Sequence, residues 1–162
     1  MKRILAILAL LAMSSTPIIA EDLIKLSIDD VSSVSPRIQN DPTVKTEGKG
    51  SIKITTKWPT TVYLGEVSGL NIENTRLLYQ ADVKSDLEGI AFLEMWAHLG
   101  SNKYFSKGMN DTVKGKSDWK SIKTPFIFQI GQKPDKITLN IVINGKGTVW
   151  IDNIVLTKEP LK

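Results

Sequence analysis

The sequence predicts an all-β protein, an antiparallel β-sandwich folded as one domain. Three observations carry this expectation. Apolar and polar residues alternate with a period of two through roughly seven to nine short segments. Clusters of Gly, Asn, Asp and Pro separate those segments at hairpin-like intervals. After the amino terminus, no stretch sustains the 3.6-residue period of an amphipathic helix.

The amino terminus reads differently. Lys2 and Arg3 precede an apolar run, Ile4 to Met13, followed by Ser14, Ser15, Thr16 and Pro17. That layout is a secretory signal peptide, with cleavage expected after Ala20. A membrane anchor is the alternative, but spanning a bilayer takes about 20 apolar residues and this run is much shorter. Residues 1–20 are therefore expected to be removed, leaving 21–162 as the domain, with no membrane span and a secreted or periplasmic location in a bacterium.

Along the mature chain, Leu23 to Ser27 and Ile28 to Val34 supply a first strand. Ser35 to Thr46, carrying Pro36, Asn40, Asp41 and Pro42, reads as a surface loop. Ser51 to Trp58 alternates, with Ile52, Ile54, Thr56 and Trp58 on one face. Thr60 to Val67 is strand-like. Arg76 to Lys84 groups Leu77, Tyr79, Ala81 and Val83, and Ile90 to Leu99 groups Ala91, Leu93, Met95, Ala97 and Leu99. Tyr104 to Ser106 and Trp119 to Phe128 follow, the latter confined by Pro125 to an edge, a bulge or a strand start. Lys136 to Asn144 groups Ile137, Leu139, Ile141 and Ile143, and Val149 to Leu156 closes the chain. Turns are expected at Gly48 to Gly50, Ser85 to Gly89, Gly100 to Asn102, Lys114 to Asp118 and Gly131 to Asp135. The strongest turn signal is Asn144-Gly145-Lys146-Gly147, which reads as a type I′ hairpin. The expected core contains Ile52, Ile54, Leu77, Tyr79, Ala81, Leu93, Met95, Leu139 and Ile141.

Composition removes several chemistries. The 162 residues are 41% hydrophobic and 23% charged, with no cysteine and one histidine. A disulfide framework, a thiolate metal site and a cysteine nucleophile are excluded, and one histidine cannot make a two-histidine metal site. The full sequence carries a net +4, and loss of Lys2 and Arg3 reduces it to +2. With lysines scattered among acids, this is no nucleic-acid footprint.

Three motifs resemble one fold family. Glu47-Gly48-Lys49-Gly50-Ser51-Ile52-Lys53-Ile54 resembles the Gly-Lys-x-Ser second strand of galactose-binding-like jelly rolls. Trp119 resembles their recurrent tryptophan before the third-last strand. Gly147 to Leu156, with Asp152 and Asn153, resembles their closing strand. In this order they resemble carbohydrate-binding modules of the family 4/9/16 type. The resemblance implies a jelly roll and a carbohydrate ligand. It also implies a structural calcium ion held by Asp152, the backbone carbonyl of Lys49, and Asp29 or Asp30 from the amino-terminal segment, by oxygens of the type calcium prefers. The alternative for Asp152 is to accept backbone hydrogen bonds at a strand end.

The residues themselves nominate one site. Strand parity puts Glu94, Trp96 and His98 together on the face away from the core, and by the same rule turns Gln80, Asp82, Thr138 and Asn140 outward. A tryptophan flanked by a carboxylate, an imidazole and amides (Gln80 and Asn140) suits a sugar, whose apolar face stacks while its hydroxyls take directional hydrogen bonds. The competing reading has Trp96 covered by Tyr104 to Met109 and Glu94 paired with a lysine. Three functions follow: a non-catalytic secreted carbohydrate-binding module; an envelope or extracellular interaction domain using the edge near Pro125 to Phe128; and a small hydrolase or lyase using Glu94 with Asp82 or His98.

Overall fold

The computed structural model describes residues 20–26 and 38–161. Residues 1–19 of the expected signal peptide, the expected strand Ile28 to Val34, and Asp29 and Asp30 lie outside the described residues. Eight strands and no helix make up the described residues: β1 (Glu21–Leu26), β2 (Ile38–Asp41), β3 (Ser51–Thr56), β4 (Thr60–Ser68), β5 (Thr75–Leu99), β6 (Asn102–Lys107), β7 (Val113–Phe128) and β8 (Lys136–Pro160). All pairings are antiparallel.

The frame is the pair β5 and β8, each 25 residues long, matched from Thr75 opposite Pro160 to His98 opposite Lys136. The ladder folds over at its middle into the two layers of a sandwich. In the first layer, the early half of β5 lies between β7 and the late half of β8, with β1 and β3 beyond β8 and β2 outermost. In the second, the late half of β5 lies between β6 and the early half of β8, with β4 beyond.

Glycine makes the crease. Gly89 faces Gly145, and Gly147 faces Leu87. Gly89 and Gly147 have φ of 139° and 131°, conformations that side chains disfavour. The Asn144 to Gly147 and Ser85 to Gly89 segments are therefore not turns, as the sequence predicts, but the midpoints of β8 and β5. Both segments do carry the backbone their glycines announce; the chain simply does not reverse there. Lys114 to Asp118 likewise lies within β7, with Gly115 at φ 62°. The remaining glycine turns, at 48–50, 100–102 and 131–135, separate strands as expected.

Parity holds through the crease. Odd residues of β5 from Leu77 to Ala97 face the core on both sides of it. In β8 the buried set is Ile137, Leu139, Ile141, Ile143, Val149 and Ile151, then Ile154 and Leu156. The change of parity falls at Asn153, at φ 50°, beside a register irregularity between Gln80 and Asp82, as a β-bulge requires. All nine expected core residues are buried, none above 2% exposure. Two local expectations differ. β3 ends at Thr56, so Trp58 leaves the Ile52 face and stands 62% exposed in the β3–β4 connection. The expected loop at 35–46 contains β2, which pairs with β3.

One core group is unsatisfied. The Tyr79 hydroxyl is buried with no hydrogen-bond partner among the described residues, and burial pushes its phenol pKa up. Replacing Tyr79 by Phe removes a desolvated polar atom and no bond. Tyr79→Phe is thus expected to melt at the wild-type temperature or slightly above, a gain of up to about 1 kcal/mol. A fall of that size in thermal denaturation would contradict it.

Candidate functional site

The outer face of the second layer is a grid of four strands. Reading from β4 through β8 and β5 to β6, one row is Tyr63, Asn140, Glu94 and Lys107. The next is Glu66, Thr138, Trp96 and Phe105, and a third runs Ser68, Lys136, His98 and Lys103. The structure thus joins Glu94, Trp96, His98 and Asn140, as strand parity predicts. It adds Tyr63, Phe105 and Lys107, which sequence reasoning missed.

Trp96 and Phe105 form the centre. Their rings are 5.2 Å apart with planes at 49°, within the range of favourable aromatic pairs. Phe105 is 55% exposed, whereas Trp96 is half-buried. Glu94 lies beneath, only 5% exposed. Its Oε1 accepts a 2.6 Å hydrogen bond from Trp96 Nε1 and a longer one, 3.4 Å, from Asn140 Nδ2. Lys107 completes the cluster, with Nζ 3.6 Å from Glu94 Oε2 and 5.0 Å from the Phe105 ring centre. A buried carboxylate demands such partners, and here they fix the indole orientation. Glu94 is therefore turned to Trp96 and Lys107 instead of standing free for hydroxyl groups. This joins parts of both sequence readings, because Glu94 does pair with a lysine and β6 does flank Trp96.

At the other end, His98 Nε2 and Thr138 Oγ1 are 3.1 Å apart. Burial, then the charges of Lys103 and Lys136, lowers the His98 pKa; Glu66 and Asp135 oppose this. Lys136 is tied to Glu66 at 2.8 Å. Tyr63 has its pKa raised by burial and by Glu66.

Other nominated residues lie elsewhere. Gln80 is exposed on the outer face of the first layer, between Lys123 and Val155, so it does not join the Trp96 group. The parity rule correctly turns it outward but cannot say which layer it occupies. Asp82 is also in the first layer, accepting a 2.8 Å hydrogen bond from Asn153 Nδ2. The Glu94–Asp82 carboxylate pair is consequently not assembled, because the crease separates the two.

Asp152 and Lys49 border one surface hollow of about 320 Å³, together with Glu47 and Asn153. Asp152 Oδ2 accepts from Thr46 N at 2.8 Å, Thr46 Oγ1 at 2.7 Å and Glu47 N at 3.2 Å, and Oδ1 accepts from Asn153 N at 2.9 Å. Among the described residues no cluster of three His, Asp or Glu side chains could hold a metal. Asp152 pins the 46–47 segment to β8, and the expected calcium partners Asp29 and Asp30 lie outside the described residues.

No family model matches the chain, and no curated protein matches it. Solved structures do. The CBM22-1 xylan-binding domain from Paenibacillus barcinonensis Xyn10C is 11% identical, covering 91% of this chain and 100% of that one, with a TM-score of 0.63. A family 16 carbohydrate-binding module is 14% identical over 74% of this chain and 84% of its own, with a TM-score of 0.54. A cyclase from Fischerella sp. TAU is 15% identical over 89% and 85%, at 0.58. At such identities the likeness is one of fold, and one fold can carry unrelated activities. The chain has the jelly-roll β-sandwich fold found in carbohydrate-binding modules.

Proposed function

We propose that this protein is a non-catalytic carbohydrate-binding module, exported from the cell, that holds a glycan across the outer face of its second layer. The observation that carries the reading is the Trp96–Phe105 pair, open at Phe105 and held by the buried Glu94. Sugar rings present an apolar face to such a surface, and a preorganised platform loses little entropy on binding. His98, Thr138 and Lys107 stand at its borders to bond hydroxyl groups. Alternate residues along a strand are about 6.5–7 Å apart, so Glu94 to His98 spans roughly 13 Å, room for two sugar rings.

A panel of soluble glycans, with xylo-oligosaccharides included because structural neighbours bind xylan, tests the reading by titration calorimetry. Binding that weakens about tenfold in Phe105→Ala, with an unchanged melting curve, is the expected result. Phe105 is exposed, so its loss should leave the fold intact. An interaction domain would leave the panel unbound.

The reading also fixes a pH dependence. Because the His98 pKa is lowered, the ring is mainly neutral at pH 7 and its titration is centred below the ordinary imidazole value of about 6.5. Any change in affinity on acidification should therefore be centred below about pH 6.5. The stability sign is the same: the unfolded chain takes up the His98 proton first, so acidification from about pH 6.5 down to the folded-state pKa favours unfolding. A step in affinity centred at or above pH 6.5, absent in His98→Gln, would contradict the neutral-ring assignment.

A further inference from the structure

The edge strand β6 lays three side chains along the border of the platform. Lys103, Phe105 and Lys107 lie opposite His98, Trp96 and Glu94, so all three stand on the outer face, each about 6.5–7 Å from the next. The aromatic ring is thus flanked by an ammonium on either side. The two lysines are not equivalent. Lys107 faces Glu94 Oε2 at 3.6 Å and lies over the Phe105 ring. Lys103 is exposed and forms no ion pair among the described residues. The acids nearest to it are engaged elsewhere. Glu66 is held by Lys136 at 2.8 Å, and Glu94 is buried beneath Trp96. Asp135, just before β8, accepts the Gly100 N–H at 2.7 Å. The charge of Lys103 reaches its neighbour on β5: burial first, then Lys103 and Lys136, lower the His98 pKa against the opposing pull of Glu66 and Asp135.

An unpaired ammonium beside a stacking ring discriminates among sugars. A neutral sugar stacked on Phe105 offers Lys103 only hydroxyl groups, for which water is an equal substitute. A pyranose whose exocyclic carbon is a carboxylate offers a charge instead. That group is bonded directly to the ring and projects from its edge, toward the lysine two residues along the strand. Resting on the carbohydrate-binding reading, we infer that the platform selects an acidic glycan, with a uronic acid residue stacked on Phe105 and its carboxylate paired with the Lys103 ammonium. A solvent-exposed ion pair of this kind adds modestly to affinity and is screened by salt. Its effect is on which glycan is held, since the apolar stacking is common to charged and neutral rings alike.

The test uses the full chain and matched oligosaccharide pairs that differ only at the exocyclic carbon. These are glucuronic-acid-substituted xylo-oligosaccharides and oligogalacturonides, each before and after chemical reduction of the carboxylate to the primary alcohol. In calorimetric titrations at low ionic strength, the uronate member should bind roughly fivefold tighter, the upper range for one exposed ion pair. At about 0.5 M salt the preference should shrink to within about twofold. Lys103→Met should shrink it as far at low salt, and Lys103→Glu should invert it. Both variants should melt with the wild type, since Lys103 is exposed. Sulfated, uronate-free carrageenan oligosaccharides and their desulfated forms distinguish the anion: a sulfate preference without a uronate preference overturns the carboxylate assignment. Equal or tighter binding of every reduced member overturns the inference and leaves the module reading standing. A uronate preference that survives Lys103→Met overturns its location. Failure of every oligosaccharide to bind in either form overturns both.

Discussion

Gly89→Ala is expected to destabilise the fold by about 4 kcal/mol, at the upper end for a single substitution. A Cβ at Gly89 would stand 2.2 Å from the Asn144 carbonyl oxygen and 3.0 Å from the Gly145 Cα, and both obstacles are backbone. The residue also holds φ at 139°. Relief would require prising β5 from β8 where the two layers meet, and that ladder carries the whole sandwich. For a domain of this size the melting temperature should fall by roughly 10–15 °C. Gly131→Ala is the control: its φ is 82°, but nothing lies within 4 Å of the added Cβ. It pays only the local backbone strain, about 1 kcal/mol. Similar melting temperatures for the two variants would contradict the crease.

Trp96→Ala should weaken glycan binding roughly 30-fold or more, the effect of truncating a central aromatic anchor worth about 2 kcal/mol. The variant should still fold, because Trp96 is half-buried and the core lies on the opposite face of β5. Glu94 separates a platform from a mere contact. In Glu94→Gln the side-chain oxygen can still accept from Trp96 Nε1, while the charge facing Lys107 is lost. Affinity should therefore drop only a few-fold. In Glu94→Ala the indole N–H loses its partner and the ring its fixed orientation, so affinity should approach that of Trp96→Ala. Equal, large losses in the Gln and Ala variants would instead make the Glu94 charge a direct ligand contact.

The strands and their inner faces were legible in the sequence because period-two alternation is a local property, and Leu77, Tyr79, Leu93 and Ile141 follow it without exception. The crease was not. Asn144-Gly145 announces unusual backbone angles, and a hairpin satisfies those angles as well as a fold in a long strand does. Only the pairing of β8 with β5, distant in sequence, decides between them. The same limit governed the site. Parity placed Glu94, Trp96 and His98 on one face, yet it fixes neither depth nor layer, so the burial of Glu94 and the separation of Gln80 were invisible. Phe105 and Lys107 were within reach: the short Gly100 turn pairs Leu99 with Asn102, and counting back puts Phe105 opposite Trp96. Tyr63 had no such local signal, because its place depends on the long-range pairing of β4 with β8.

The most direct measurement is a backbone and indole amide chemical-shift titration of the protein with the tightest-binding oligosaccharide of the panel. The account predicts that the Trp96 indole signal moves most, together with amides of residues 94–98, 103–107 and 138–142, while those around Gln80 and Asp152 stay fixed. Perturbations centred on the first layer, or an unmoved Trp96 indole at saturation, would contradict it.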